Sequence, residues 1–426
     1  MHCKIVRGFR AVVAAAAVAG CSGEGSGGST TSWRAAVDSL GDTVTVRTVS
    51  GSVWGDTAYL EPEVSIGMME GPDEYLLGSP RAVAVGRDGT IFVLDRQVLV
   101  VRAYGPDGIH VRDIGREGGG PGEYRNPDGM TTLPDGRVLV RDPGNARIAV
   151  FDSAGNYLEQ WSLPGGFNTS RRFYVDTAGN SYAMVLLQRD VAVTEWTYGL
   201  ARYSPQGVLL DTVPAPTWDF EAARVVASQE GNMSVSGVPF SPQAAWTFSP
   251  LGYTVGGLST DYRIDLFRPG EPVLRIEREW TPVPVNPAES EERVRRQTLQ
   301  FQRDFGSWRW NGPPIPDTKP PFRNIIVSED GNLWVQTSQE GRATMTEADA
   351  REEEARTRIP PLRFEEPPAF DVFAPDGSFL GPVRVPESFS VFPEPIVRGD
   401  TVWAVTRDEL DVATIVRFRL VHPDTR

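Results

Sequence analysis

Apolar residues along this chain come in short runs, each closed by a turn signal, and the order of runs and turns repeats. In one copy Ala82 to Val85 leads to Asp88-Gly89, then Ile91 to Leu94, Asp95, Val100 to Tyr104, Pro106-Asp107-Gly108 and Ile109 to Ile114. The next copy runs Met130 to Leu133, Asp135-Gly136, Val138 to Val140, Asp142, Ile148 to Phe151, Ala154-Gly155-Asn156 and Tyr157 to Trp161. Runs this short, bounded by Gly, Pro, Asn and Asp, predict β-strands rather than helices. Each copy therefore predicts four strands, and a spacing of 47 residues from Asp88 to Asp135 makes it the size of one propeller blade.

Three further copies keep the landmarks. The third uses Phe173 to Val175, Tyr182 to Met184, Tyr198 to Tyr203 and Val208 to Val213. The fourth is expected at Val225 to Ala227, Met233 to Ser236, Tyr262 to Phe267 and Val273 to Ile276, and the fifth at Ile325 to Val327, Leu333 to Val335, Phe370 to Phe373 and Phe379 to Val385. A sixth has only three strands, Ile396-Val397, Thr401 to Val405 and Ile415 to Leu420, while Thr43 to Val49 is a strand without a copy of its own. Lending that strand to the last copy closes a ring and removes two open sheet edges. The expected fold is all-β: a six-bladed β-propeller over 43–426, closed by an N-terminal strand and carrying one helical insertion.

Two insertions break the rhythm, at about 281–322 and 338–368. The first holds Asn286-Pro287-Ala288-Glu289, which supplies an N-cap, a proline at the first helical position and a Glu for a capping box. Val294, Thr298, Phe301 and Phe305 then share one face, which predicts a helix packed on the propeller. In the second, Glu347 to Arg358 lacks an apolar stripe and is expected as a solvated helix or a mobile loop.

The N-terminus sets the compartment. Lys4, Arg7 and Arg10 precede an apolar run from Ala11 to Ala19 that is too short to span a bilayer, the pattern of a signal peptide over 1–20. Val18-Ala19-Gly20-Cys21 resembles the bacterial lipobox, which implies lipidation of Cys21. Residues 21–42, rich in Gly, Ser and Thr at their start, are expected as a flexible tether. Cys3 and Cys21 are the two cysteines, so the folded body has no thiol for a disulfide, metal or nucleophile. With 42 basic and 56 acidic residues the chain carries −14, and losing three basic residues with the signal makes it −17. Such a body is not expected to bind nucleic acid. Forty-three Gly and 35 Pro signal many turns, and 40% apolar residues with eleven Trp suffice for a core.

The pattern Asp142…Asn145-Ala146-Arg147-Ile148, Phe151-Asp152…Gly155 and the linker Gly115-Arg116-Glu117-Gly118…Pro121-Gly122-Glu123-Tyr124…Pro127 looks like NHL-type repeats. More closely it resembles the six-bladed propeller lipoproteins of bacteria grouped with TolB-like propellers, sharply over 64–161. The resemblance implies fold and location: an exported protein, lipid-anchored to the cell envelope at the outer membrane and facing the periplasm. It brings little function.

Candidate chemistry is sparse. Glycines 115 to 122 mimic a phosphate loop but lack its Lys and its helix, and read as an interblade connector. Asp142, Asn145 and Arg147 form a tight turn in which Arg147 pairs with Asp142; alternatively Arg147 faces the channel and grips an anionic group. The near absence of histidine argues against a Ser-His-Asp triad or an imidazole-bound zinc. No cofactor is called for; a calcium held by Asp95, Asp142 and Glu123, as in gluconolactonase-like propellers, is the alternative. Tyr124, Trp308 and Trp310 are the aromatic candidates for ligand binding, the two Trp as an exposed pair. The expectation is a monomeric binding or scaffolding module, not an enzyme, for a peptide, glycan or envelope protein. The alternative is a calcium-dependent hydrolase or lyase with carboxylates at the channel mouth.

Overall fold

Sharp turns at Asp-Gly and Pro-Asp-Gly fold the apolar runs into four-stranded antiparallel meanders. The computed structural model describes residues 32–164, 172–188, 190–191 and 195–422, and these are mostly β, with two α-helices. The first meander is Pro80–Val85, Ile91–Asp95, Val100–Tyr104 and His110–Ile114; the second is Gly129–Thr132, Val138–Asp142, Arg147–Phe151 and Tyr157–Ser162. The third comprises Tyr174–Val175, Ser181–Leu186, Tyr198–Tyr203 and Leu209–Pro214. A fourth runs Ala244–Ser249, Tyr253–Leu258, Arg263–Phe267 and Val273–Arg278, and a fifth Phe322–Val327, Leu333–Thr337, Ala369–Phe373 and Phe379–Arg384. The sixth has Ile396–Arg398, Thr401–Arg407 and Ala413–Val421.

Three strands precede these: β1 (Arg34–Leu40), β2 (Thr43–Ser50) and β3 (Ala58–Ile66). β3 completes the sixth meander by pairing antiparallel with Ala413–Val421, from Tyr59↔Val421 to Ile66↔Ile415. The sequence reading assigned that role to Thr43–Val49. Instead β2 lies parallel to the outer strand of the fourth meander, Thr43↔Val273 to Thr48↔Arg278, and β1 covers it. Pro62 and its flanking glutamates obscured β3 in the sequence; the strand tolerates the proline because its register shifts between Pro62 and Val64, as at a bulge. Ordered strand from Arg34 also shortens the expected tether.

The fourth meander required a second correction. The ribbon Arg224–Gln229 and Asn232–Gly237, expected as its first two strands, pairs only with itself. Phe248, Tyr253 and Val255 bury in the core from the strands that take its place, whereas Met233 of the ribbon stays exposed. A core position goes to the hairpin with more apolar surface to remove from water.

Neighbouring meanders touch in succession. Thr132 Oγ1 donates to Val85 O at 3.0 Å, Arg141 reaches Met184 O at 3.2 Å, and Thr247 Oγ1 bonds the Tyr174 hydroxyl at 3.2 Å. Tyr253, Val255, Ile325 and Val327 share one cluster between the fourth and fifth meanders. Glu329 N donates to Val397 O at 2.9 Å, and Arg398 of the sixth returns to Val85 O and Gly86 O of the first. Alternating strand direction puts the Asp-Gly and Pro-Asp-Gly turns at one end, side by side as at Gly89 and Pro106. The linkers and the middle connections lie at the other end, where both insertions occur.

Helix α1 (Pro287–Phe305) starts as expected, with the Asn286 side chain accepting from Ala288 N at 2.9 Å. It packs on the ribbon through Phe301 and Phe305. Glu289, read as a capping-box residue, instead turns into the interior. Helix α2 (Glu347–Thr357) has a complete capping box from Thr346 and Asp349 and no buried residue, in line with a solvated helix.

Candidate functional site

The acids singled out in the sequence are fastened to backbone. Asp142 ends the second strand of its meander and accepts from Asn126 N at 2.9 Å, Arg125 N at 3.1 Å and the Asn145 side chain at 2.7 Å. Asp95, at the same place in the first meander, accepts from Gly78 N, Ser79 N and Gln97 N at 2.8–3.1 Å. Both are fully buried. Each therefore satisfies backbone donors of the incoming linker. Glu123 Oε2 accepts from Gly120 N at 2.7 Å and its Oε1 from Arg116 Nε at 2.9 Å. The Gly120 N–H first, then Arg116, holds this carboxyl below the usual glutamate range. The three acids thus serve separate local contacts, and among the described residues no group of three or more His, Cys, Asp or Glu is placed to hold a metal.

Arg147 and Asp142 face each other across two strands but do not pair. The guanidinium reaches Gly120 O at 2.5 Å, Glu123 O at 2.8 Å and Gln160 Oε1 at 2.9 Å, closing the Gly-rich linker from beneath. Its Nη1 and Nη2 groups are thus turned to the linker and to Gln160 rather than to a ligand, while its Nε has no partner among the described residues. Tyr124 is buried under Gly115, where an added Cβ would lie 2.3 Å from its ring, so this glycine cannot be replaced without moving the tyrosine. Burial pushes its phenol well above the ordinary range. Trp308 and Trp310 are not an exposed pair. Both are half-buried against Phe301 and the ribbon; Trp308 Nε1 donates to Val226 O at 2.9 Å and Trp310 Nε1 to Gly312 O at 3.1 Å. An insertion needs a core of its own, and the indoles supply it. Cys21 lies outside the described residues.

Space is distributed unevenly. The cavity enclosed by the first strands of the first, second, third and sixth meanders measures about 150 Å³. Two clefts at the insertion end measure about 830 and 670 Å³. Both fall in the range of roughly 300–1,000 Å³ typical of ligand sites. Neither described histidine lines either cleft.

The larger cleft is floored by Tyr262, Arg278, Ser338 and Asp371 and flanked by Trp280 and Pro368. Asp371 is buried; its Oδ2 accepts from the Tyr262 hydroxyl at 2.8 Å and from Arg278. Burial pushes the Asp371 carboxyl above the usual aspartate range, with Arg278 and Tyr262 opposing the shift. Ser338 is also buried, and its hydroxyl has no hydrogen-bond partner among the described residues.

The smaller cleft lies between α1, the ribbon and the entry to the fifth meander. Phe240, Arg293, Arg296, Gln297, Phe301 and Arg323 line it. A buried ion cluster stands between the clefts: Lys319 Nζ lies 2.8 Å from Glu289 and 2.9 Å from Glu366, and donates to Gln339 O at 3.1 Å. Arg323 shares Glu366. Further ion pairs, Arg295 with Glu354 and Arg363 with Glu292, tie α1 to the second insertion. The sequence reading weighed only the apolar face of α1. Arg293, Arg296, Gln297 and Gln300 recur at helical spacing on another face, a polar stripe that the same periodicity contains.

No protein-family profile matches the chain, and no curated protein matches it. Among solved structures it is similar to a DUF4221-family protein from Bacteroides vulgatus, at 8% identity and a TM-score of 0.49, over 86% of this chain and 99% of that one. It is also similar to virginiamycin B lyase from Staphylococcus aureus, at 10% identity and a TM-score of 0.40, over 85% and 100%. A gluconolactonase from Xanthomonas campestris follows at 12% identity and 0.37, over 81% and 88%. Likeness at these levels assigns no activity.

Proposed function

We propose that this protein is an exported six-bladed β-propeller, lipid-anchored to the bacterial envelope through Cys21, that works as a binding module and holds its ligand at the insertion end. The succession of contacts between neighbouring meanders, from Thr132 to Arg398, supports the six-bladed ring. One observation carries the functional reading: the two large clefts are both lined by insertion residues, while the cavity among the first strands is about 150 Å³. The expected ligand is a peptide, a glycan or a segment of an envelope protein, and the expected state is a monomer. A calcium-dependent hydrolase or lyase built on Asp95, Asp142 and Glu123 draws less support, because each carboxylate already serves its own linker.

Screening the signal-free chain on peptide and glycan arrays, beside an Ala369→Trp variant that fills the larger cleft and an Arg323→Trp variant that fills the smaller, tests the reading. A binder lost in one variant supports it; a binder retained equally in both moves the site off this end. Acyl labelling of the full chain that persists in Cys21→Ala would remove the anchor.

A further inference from the structure

Arg293 stands on the cleft-lining face of α1 and carries a charge that no contact there answers directly. It projects from α1 into the 670 Å³ cleft and makes no hydrogen bond or ion pair among the described residues. Its buried Nε has no partner among the described residues, and the Phe240 ring lies 5.8 Å from the guanidinium carbon. A guanidinium offers five N–H donors, and leaving a buried one unmet is costly.

The surroundings raise that cost. Arg296 also lines the cleft and has one long contact, to Pro360 O at 3.4 Å. Arg323 lines the cleft too, 5.8 Å from the same Phe240 ring, and Lys319 Nζ lies 4.9 Å from that ring. Against these four cations stand two carboxylates, Glu289 and Glu366, and both are engaged by Lys319 or Arg323. Desolvation and the neighbouring Arg323 and Arg296 charges work against the Arg293 cation, with Glu289 and Glu366 offsetting them in part. A cationic hollow of this kind stands out in a chain of net charge −14. Most of the distant negative charge is screened, since the Debye length is about 10 Å at 0.1 M salt.

Apolar surface shares the cleft. Phe240, Phe301, Val238 and Leu362 line it, and the volume exceeds what a bare oxyanion fills. Gln297, whose Nε2 lies 3.5 Å from Gly237 O, leaves its buried Oε1 without a partner.

We infer that this cleft is a binding site for an organic anion, a carboxylate, sulfate or phosphate group carried on an apolar or ring-bearing body. The charged group sits among Arg293, Arg296 and Arg323, where a planar guanidinium meets oxyanion geometry, and the body lies on Phe240. The inference rests on the reading that the insertion end holds the ligand, and it names the chemistry.

Titration calorimetry on the signal-free chain at constant ionic strength tests it, with sulfate, inorganic phosphate, citrate and phenyl phosphate as separate probes. One probe molecule per chain is expected, with phenyl phosphate tighter than inorganic phosphate because Phe240 contributes. Arg293→Gln is expected to weaken binding at least tenfold, and Gln300→Glu, which adds a carboxylate to the rim, severalfold. Ala369→Trp, in the other cleft, is expected to leave it unchanged. Absence of binding for all four probes, or affinity unchanged from wild type in both Arg293→Gln and Gln300→Glu, overturns the proposal. If the probes fail while an array ligand is lost in Ala369→Trp, the anion site falls and the binding-module reading stands. If the probes bind as expected and array ligands ignore both clefts, the anion site stands without that reading.

Discussion

The second meander and the insertion end handle buried charge in opposite ways. In the meander, Asp142 takes hydrogen bonds from two backbone amides and one side chain, all within 20 residues of chain, and its role repeats at Asp95. At the insertion end, Lys319 gathers Glu289 from 30 residues before and Glu366 from 47 residues after, and nothing in the repeat prepares for it. Local carboxylates build the scaffold; long-range ion pairs fasten what has been added to it. A charge that repeats with the blade is architecture, and Arg293, which neither repeats nor pairs, is where a ligand has room to act.

The sharpest way to break this contrast is Lys319→Ala. The buried Glu289 loses its cation while the half-buried Glu366 keeps Arg323, and the expected loss is about 3–5 kcal/mol in denaturant unfolding. A loss below about 1 kcal/mol would mean that the insertions stand without the cluster. Asp142→Ala comes next. It strands linker donors and is expected to cost about 2–3 kcal/mol, with Asp95→Ala matching it because the two sites are equivalent. Unequal losses would deny the equivalence. Thr346→Ala removes the cap of α2, an element with no buried residue, and about 1 kcal/mol or less is expected.

pH separates the two regions by sign. Glu123 is held below its ordinary range, so its contribution is present above the unfolded value near 4.5 and is lost as pH falls through the folded one. Asp371 is pushed above 3.8 by burial, so the folded state binds its proton more tightly, and stability falls as pH rises from about that value through the folded one. In urea unfolding between pH 3 and 7, Glu123→Gln is expected to flatten the acid-side loss and Asp371→Asn the fall on the other side. Parallel curves for wild type and Asp371→Asn would show that Arg278 and Tyr262 cancel the burial effect.

Much of the scaffold was legible. The strands of the first, second, third and fifth meanders and the last three of the chain lie within a few residues of their apolar runs, because short runs between obligatory turns have few other ways to fold. The start of α1 was legible for the same local reason, an Asn cap followed by proline. The candidate site was legible only as a location. Trp308 and Trp310 read as exposed because an irregular proline-rich segment gives no sign of what will cover it, and the ribbon that does so was itself misplaced. Arg293 and Arg296 of α1 were in plain view but lay beside the face that periodicity draws attention to.

Taken alone, the sequence determined the repeat, the turn chemistry, the end of the molecule that receives the insertions and the helix that begins at Pro287. Only the tertiary structure decided that β3 rather than β2 pairs with Ala413–Val421, that Ala244–Leu258 rather than the ribbon joins the fourth meander, and that Glu289 meets Lys319. The reason is physical. A strand's own pattern specifies that one face must be buried, but not against which partner. That choice depends on competing apolar surfaces and charges brought together from distant parts of the chain.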